Sequence, residues 1–266
     1  NPTQQQITRH FHGKSILITG ASFGIGEALA SSLAQVPCQL ILVARSIDKL
    51  ATLKQQLEPS GCKVILIQAD LYDENAADLI NNALKQQQIQ IDILIHNAGK
   101  SIQRSIWNTL DRPQDIQRTI AINYLNPAQL TRLLLPDLQQ THGQVAVVST
   151  INAKLFAPPL WSSYQASKTA MQQWILAIQP ELAVHQISAS LVYLPLVRTR
   201  MIAPTQHYQN MPAMTAQQAA QSVLYSLIQR KRQWQPWWLG IVQVCCYLFA
   251  IPIYHVNTRL LKKDKK

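Results

Sequence analysis

The stretch Ser15-Ile16-Leu17-Ile18-Thr19, running straight into Gly20-Ala21-Ser22-Phe23-Gly24-Ile25-Gly26, constrains this chain more than any other. Its first half is a continuous run of β-branched and apolar residues, which reads as a short buried strand. Three glycines follow, and the alanine-rich segment 27–35 reads as a helix. Strand, glycine turn and helix in this order let the backbone approach a phosphate group. No side chain intervenes, and the helix start offers free N–H donors and a positive dipole end. The same three glycines also suit an ordinary tight turn between strand and helix.

The pattern then repeats. Segments 40–44, 64–68, 91–95, 145–150 and 187–192 read as further buried strands. Between them, 75–88, about 113–138, and a stretch from Tyr164 to about Ala177 read as helices. Alternating strands and helices predict an α/β fold, a doubly wound parallel sheet of Rossmann type. With 266 residues, 47% of them hydrophobic, one sizeable domain can bury a complete core. Residues 1–13 are polar and are expected to fray.

Several residues in this frame bear chemistry. Tyr164 and Lys168 are four apart, on one face of a helix. An ammonium beside a phenol favours phenolate and lowers the tyrosine pKa, which makes an acid/base unit. The second strand ends at Ala44-Arg45. An acid there would hold a ribose 2′-hydroxyl; an arginine suits a 2′-phosphate, and so NADP(H). Asp70-Leu71 closes the third strand, and Asn97-Ala98-Gly99 follows the fourth, where small residues admit a cofactor to the sheet edge. Asn123 sits among aliphatic residues, and Ser149 and Thr150 end the fifth strand, where hydroxyls also serve as caps.

With these elements placed, residues 13–200 or so resemble the short-chain dehydrogenase/reductase family. Thr19 to Gly26 resembles its TGxxxGIG loop, and His96-Asn97-Ala98-Gly99 its NNAG, with histidine in first place. Asn123, Tyr164 and Lys168 match its catalytic asparagine, tyrosine and lysine. The resemblance implies that Tyr164 gives or takes the substrate proton. It implies that Lys168 lowers the pKa of Tyr164 and bonds the nicotinamide ribose, and that Asn123 holds a relay water. It places Gly20, Ser22, Phe23, Gly24, Ile25, Gly26, Arg45, Asp70, Leu71, Asn97, Ala98, Gly99 and Thr199 against an NADP(H) cofactor. The family's serine, which polarises the substrate carbonyl, sits thirteen residues before the tyrosine, at Ile151 here. A one-residue insertion near Pro158-Pro159 brings Thr150 onto that position; Ser149 is the other candidate. The family's Pro-Gly after the sixth strand reads Leu194-Pro195. The region from about 194 to 220, including Met201-Ile202-Ala203-Pro204-Thr205 and a helix N-cap at Thr215, resembles the substrate loop of bacterial fatty acyl-CoA reductases. That implies a hydrophobic substrate, an acyl thioester or alternatively a long-chain or polycyclic ketone. A non-catalytic nucleotide-binding scaffold is the reading from another class. Homodimers or homotetramers are usual in such proteins.

Net charge is +11. From Arg198 onward there are ten Lys and Arg against Asp264 alone. Residues 237–254 carry no charge, and as a helix they would extend about 27 Å, near the lower limit for a bilayer span. Arg230-Lys231-Arg232 precede them and Arg259 to Lys266 follow, with Trp234, Trp237, Trp238 and Tyr254 as interfacial anchors. The division is therefore a catalytic domain over 1–233 and an apolar extension with a basic tail over 234–266. Three placements stay open for the extension: a monotopic membrane-surface element, a true span, or a helix buried in the fold or in a dimer. A nucleic-acid partner is not expected, because the basic cluster lacks aromatic interleaving. Cys38, Cys62, Cys245 and Cys246 form no metal-binding spacing, and no apolar leader core opens the sequence. Together these predict a reducing, cytoplasmic setting without a metal.

Overall fold

The computed structural model describes residues 1–202, 208 and 210–263. In chain order the elements are α1 (Gln4–Phe11), β1 (Ser15–Thr19), α2 (Gly24–Leu33), β2 (Gln39–Ala44), α3 (Ile47–Leu57), β3 (Lys63–Gln68), α4 (Ala76–Gln86) and β4 (Ile93–His96). Then come α5 (Gln114–Ile120), α6 (Asn126–Leu133), α7 (Leu135–Gln140), β5 (Gln144–Thr150), α8 (Ser162–Val184), β6 (Ser188–Leu194), β7 (Val197–Arg198) and β8 (Met214–Thr215). The last are α9 (Ala216–Ile228), β9 (Gln233–Trp234), α10 (Leu239–Leu248) and α11 (Ala250–Lys263).

Seven strands form one sheet in the order β3-β2-β1-β4-β5-β6-β9, and every neighbouring pair is parallel. The continuous apolar strands follow from helices covering both faces. On one face Ile16, Ile18, Leu40 and Leu42 pack with α1, α2, α3 and α9. On the other, Leu17, Ile41, Leu94 and Leu191 pack with α4, α6 and α8. The doubly wound parallel sheet is thus as expected. The order reverses between β1 and β4, and the crevice outside the carboxyl ends of those strands is where such a sheet binds ligands.

Four expectations on the elements need correction. Residues 1–13 do not fray. Thr3 and Gln6 form a reciprocal capping box at the start of α1, and Ile7 and Phe11, one turn apart, bury themselves in the core. The long helix over 113–138 is broken. A π-turn at Ala121–Leu125 separates α5 from α6, and prolines open both α6 and α7. Helix α8 runs past Ala177 and through Pro180 to Val184. Its last turns are held by buried Leu182 and by Gln179, whose amide donates to the carbonyls of Ala189 and Arg232. Finally, the boundary at 233/234 falls inside β9, which pairs with β6, and Leu239 is fully buried. Beyond Leu239 no described residue is buried.

No single helix among the described residues is long and apolar enough to cross a membrane. Helices α10 and α11 pass that test only as a pair, bent by 84°. Residues 203–207, including Ala203, Pro204 and Thr205 of the expected substrate loop, lie outside the described residues, as does 264–266 of the basic tail. The base of that loop is pinned where β7 pairs with β8, and Thr215 caps α9 through a second capping box.

Candidate active site

The turn after β1 is built by close packing. Gly20 has φ +66°, and a Cβ there would come 2.7 Å from the Cα of Ala98. At Gly26 a Cβ would run into the Gly20 carbonyl oxygen and lie 2.6 Å from Asn97 Nδ2. Thr19 ties the turn to β4: its hydroxyl oxygen accepts from the N–H of Asn97 at 3.1 Å and of Ala98 at 3.2 Å. Asn97 Nδ2 donates back to the carbonyls of Thr19 and Gly20, each at 3.1 Å. The N-cap of α2, Phe23, makes no side-chain capping bond. The first N–H groups of that helix therefore keep donor capacity for an anion.

A cavity of about 630 Å³ opens over this turn. Gly20, Ser22, Phe23, Gly24 and Ile25 line one end, with Arg45, Asp70 and Leu71. Asn97, Ala98, Gly99 and Thr199 also line it, as do Ser149, Thr150, Tyr164 and Lys168. Gly26 and Asn123 support the lining from behind. Arg45 is two-thirds exposed, pairs loosely with Asp70 at 3.8 Å, and lies over the Tyr72 ring at 5.9 Å. An exposed pair at that distance leaves the guanidinium free to bind a phosphate. Phe23 is bracketed by Lys49 at 4.2 Å and Arg200 at 4.1 Å.

At the other end the π-turn lifts Asn123 out of the helix register, a device that recurs at functional sites. Its Oδ1 accepts from the Lys100 N–H at 3.0 Å. Its Nδ2 donates to the Lys100 carbonyl and to Ser167 Oγ, both at 2.9 Å. A Cβ on Gly99 would meet Asn123 Oδ1 at 3.1 Å and Lys168 Nζ at 3.4 Å, so these three residues converge. Lys168 Nζ donates to the Val148 carbonyl at 3.0 Å.

The Tyr164 phenol hydrogen-bonds the Thr150 hydroxyl. Ser149 Oγ is buried without a hydrogen-bond partner among the described residues. Burial pushes the Tyr164 phenol up to about 12, opposed by the Thr150 hydrogen bond. This corrects the expected lowering by Lys168: desolvation is the largest cause and raises the phenol, and Lys168 is not among the groups that shift it. The ammonium is itself strained by burial, which brings Lys168 down to about 8. A neutral, buried phenol is a proton donor at neutral pH.

Sequence reasoning assigned no role to Trp161, Tyr208 or Thr19. Trp161 stacks on Tyr208 at 5.8 Å and meets Tyr164 edge-on at 6.1 Å. With Pro158, Leu196, Met201 and Met211 these rings make an apolar end to the cavity. No local signal marks them. They come together only in the folded chain, where Tyr208 stacks on Trp161 at the start of α8.

Residues 14–210 match the family model of the short chain dehydrogenases. A fatty acyl-CoA reductase of Acinetobacter baylyi is 36% identical over 222 residues, 83% of this chain and 75% of that protein. A fatty acyl-CoA reductase of Mycobacterium tuberculosis is 37% identical over 210 residues, 79% of this chain and 71% of that one. Among solved structures, a short-chain dehydrogenase from Sphingobium yanoikuyae in complex with NADPH superposes with a TM-score of 0.75 at 26% identity, covering 83% of this chain and 86% of the other.

Proposed function

This chain belongs to the short-chain dehydrogenase family and is an oxidoreductase, and from that premise we propose that it uses NADP(H) to reduce the carbonyl of a hydrophobic substrate, a long-chain acyl thioester first among them. The observation that carries the reading is the Tyr164 phenol, held neutral and bonded to Thr150, on a cavity with an apolar end.

The glycine turn fits a dinucleotide. Its backbone is bare where a Cβ would clash, and the uncapped start of α2 faces the same cavity. Gly20 to Gly26, Asn97 to Gly99 and Thr199 would hold that group, with Arg45 toward a 2′-phosphate. When bound it supplies the hydride. The protein's part is to orient and to move a proton. Thr150 polarises the substrate oxygen, and Ser149 is the alternative hydroxyl. Tyr164 donates its phenolic proton to that oxygen; from a thioester the resulting hemithioacetal would release the thiol and leave the aldehyde. Lys168 and Asn123, converging behind Gly99, lead a proton back to the phenol. The names of the two reductases above support the thioester reading; the apolar end of the cavity suits any long-chain carbonyl. A membrane-facing extension beyond Leu239 and a location at the cytoplasmic face of a membrane belong to the same proposal.

The test is NADPH oxidation by the full chain in detergent, with a long-chain acyl-CoA beside a long-chain ketone and a polycyclic ketone. Turnover of the thioester, lost in Tyr164→Phe with NADPH binding retained, is the expected result. Turnover of ketones alone replaces the substrate class. NADPH binding with no turnover of any carbonyl favours the scaffold reading and overturns the proposal.

A further inference from the structure

Every strand of the main sheet is parallel, so all carboxyl ends share one edge, and Thr150 and Tyr164 open there. Strand β9 runs in the same direction, with Val192 opposite Trp234. The chain therefore leaves β9 at the edge that carries the cavity. Trp238 packs against the same buried cluster as Ile151 and Leu155, which come just past Thr150. Lys154, in the same segment, donates from Nζ to Gln233 Oε1 at 2.5 Å and to Gln235 Oε1 at 2.7 Å. These contacts fix the root of the extension beside the catalytic residues.

Beyond that root the extension is bare. Trp237 is 85% exposed, and Ile241, Val244, Tyr247, Phe249 and Ile251 are all more than half exposed. Patches of that extent on a protein surface mark an interaction site. Helix α10, ten residues, is about 15 Å long and α11, fourteen residues, about 21 Å. Neither reaches across a hydrocarbon core of about 30 Å. Residues 239–262 contain no acid, and the cations Arg259 and Lys262 lie toward the end of α11. A second exposed apolar patch, Ile106, Trp107 and Leu110, lies between β4 and α5, again at the carboxyl edge. It is tied to the cavity wall where the Arg104 N–H donates to the Leu160 carbonyl at 2.7 Å.

The basic flank before the extension is placed differently. Arg230 donates to the carbonyl of His142, in the turn that leads into β5, which is the opposite edge of the sheet. Arg230-Lys231-Arg232 therefore do not flank the apolar helices in space as they do in sequence.

We propose that α10 and α11 form a bent anchor that lies in an anionic lipid surface and holds the carboxyl edge of the sheet against it, so that a lipid-dissolved substrate enters the cavity directly from the bilayer. The anionic lipid is chosen by charge: the exposed apolar helices bring cations and no acid to the interface. The substrate half of this inference rests on the reductase reading; the docking half does not.

The experiment uses the full chain with Cys245→Ser and Cys246→Ser, carrying a fluorophore either at Trp107→Cys, on the carboxyl edge, or at His142→Cys, on the opposite edge. Vesicles of phosphatidylcholine, with or without phosphatidylglycerol, carry a nitroxide lipid as quencher. The expected result is quenching at 107, little at 142, and stronger binding to the anionic vesicles. Val244→Asp with Tyr247→Asp, each an exposed position, should weaken vesicle binding roughly tenfold or more per charge. Absence of quenching at both sites overturns the inference, as does quenching at 142 instead of 107. A discrete dimer in detergent that the aspartates dissolve, without vesicle binding, assigns the surface to a second copy and also overturns it. Turnover of a detergent-dispersed long-chain acyl-CoA or ketone, with no vesicles present, judges the reductase reading separately on the same preparations. Quenching at 107 without such turnover supports the docking and removes the reductase; turnover without quenching removes the docking alone.

Discussion

Thr150 and Ser149 are adjacent hydroxyls at the end of β5, and the structure treats them oppositely. The Thr150 hydroxyl accepts from the Asn152 N–H at 3.3 Å and bonds the Tyr164 phenol. Ser149 Oγ is buried and unpartnered. Replacing Thr150 by valine keeps the shape and deletes the donor. Loss of one preorganised donor to a developing oxyanion costs about 10²–10³ in kcat, roughly 3–4 kcal/mol. The lost bond to Tyr164 and the stranded Asn152 N–H add about 1–2 kcal/mol of destabilisation. Thr150→Ser restores the hydroxyl and should recover most of the rate. Ser149→Ala should do the reverse. A buried hydroxyl without a partner carries a penalty of about 1–3 kcal/mol, so its removal leaves stability unchanged or raised, with kcat within a few-fold of wild type. Steady-state NADPH oxidation and urea unfolding on the three variants measure both quantities. If Ser149→Ala abolishes turnover while Thr150→Val retains it, the assignment of the polarising hydroxyl from this geometry is wrong.

Three further outcomes follow from other parts of the molecule. Arg45→Ala should raise KM for NADPH about tenfold or more while leaving NADH nearly unchanged; equal effects on both would refute the 2′-phosphate role. Buried Lys168 is held down to about 8 from an ordinary 10.5. The unfolded chain therefore binds that proton more tightly, and the cost to stability is full below about pH 8 and shrinks as pH rises toward 10.5, by up to about 1.4 kcal/mol per pH unit. Urea unfolding at about pH 7 and pH 9 should show wild type gaining on Lys168→Met; a parallel response would contradict the burial of a charged amine. Truncation after Arg232 removes β9 and the fully buried Leu239, which should cost at least the 2–5 kcal/mol of a buried leucine deletion. Truncation after Gly240 spares both, so thermal unfolding should separate the two truncated chains clearly.

The parts of this molecule that were legible in the sequence are those where cause and effect lie close together along the chain. Ser15 to Gly26 states strand, turn and helix within twelve residues, and the alternation of apolar runs states the parallel sheet. Tyr164 and Lys168 announce a shared helix face by spacing alone. What stayed hidden depends on residues far apart in sequence. The capping box of Thr3 and Gln6 was readable, yet the burial of Ile7 and Phe11 depends on α9 more than two hundred residues later. The phenol's shift is the clearest case. Spacing predicted a cation lowering it, but a helix face says nothing about how much water the fold removes. Here Trp161 meets the Tyr164 ring edge-on and Tyr208 stacks on Trp161, and desolvation by burial is the largest cause that pushes the phenol up, to about 12. The basic flank of the extension failed for a related reason. Arg232 and Trp237 are five residues apart, but an extended residue advances about 3.3 Å. A strand of even two residues with its approaches carries the chain from one edge of the sheet toward the other. Adjacency in sequence was therefore a poor guide to which cations share a surface with the apolar helices. The direction of β9, which only its pairing with β6 reveals, decides it.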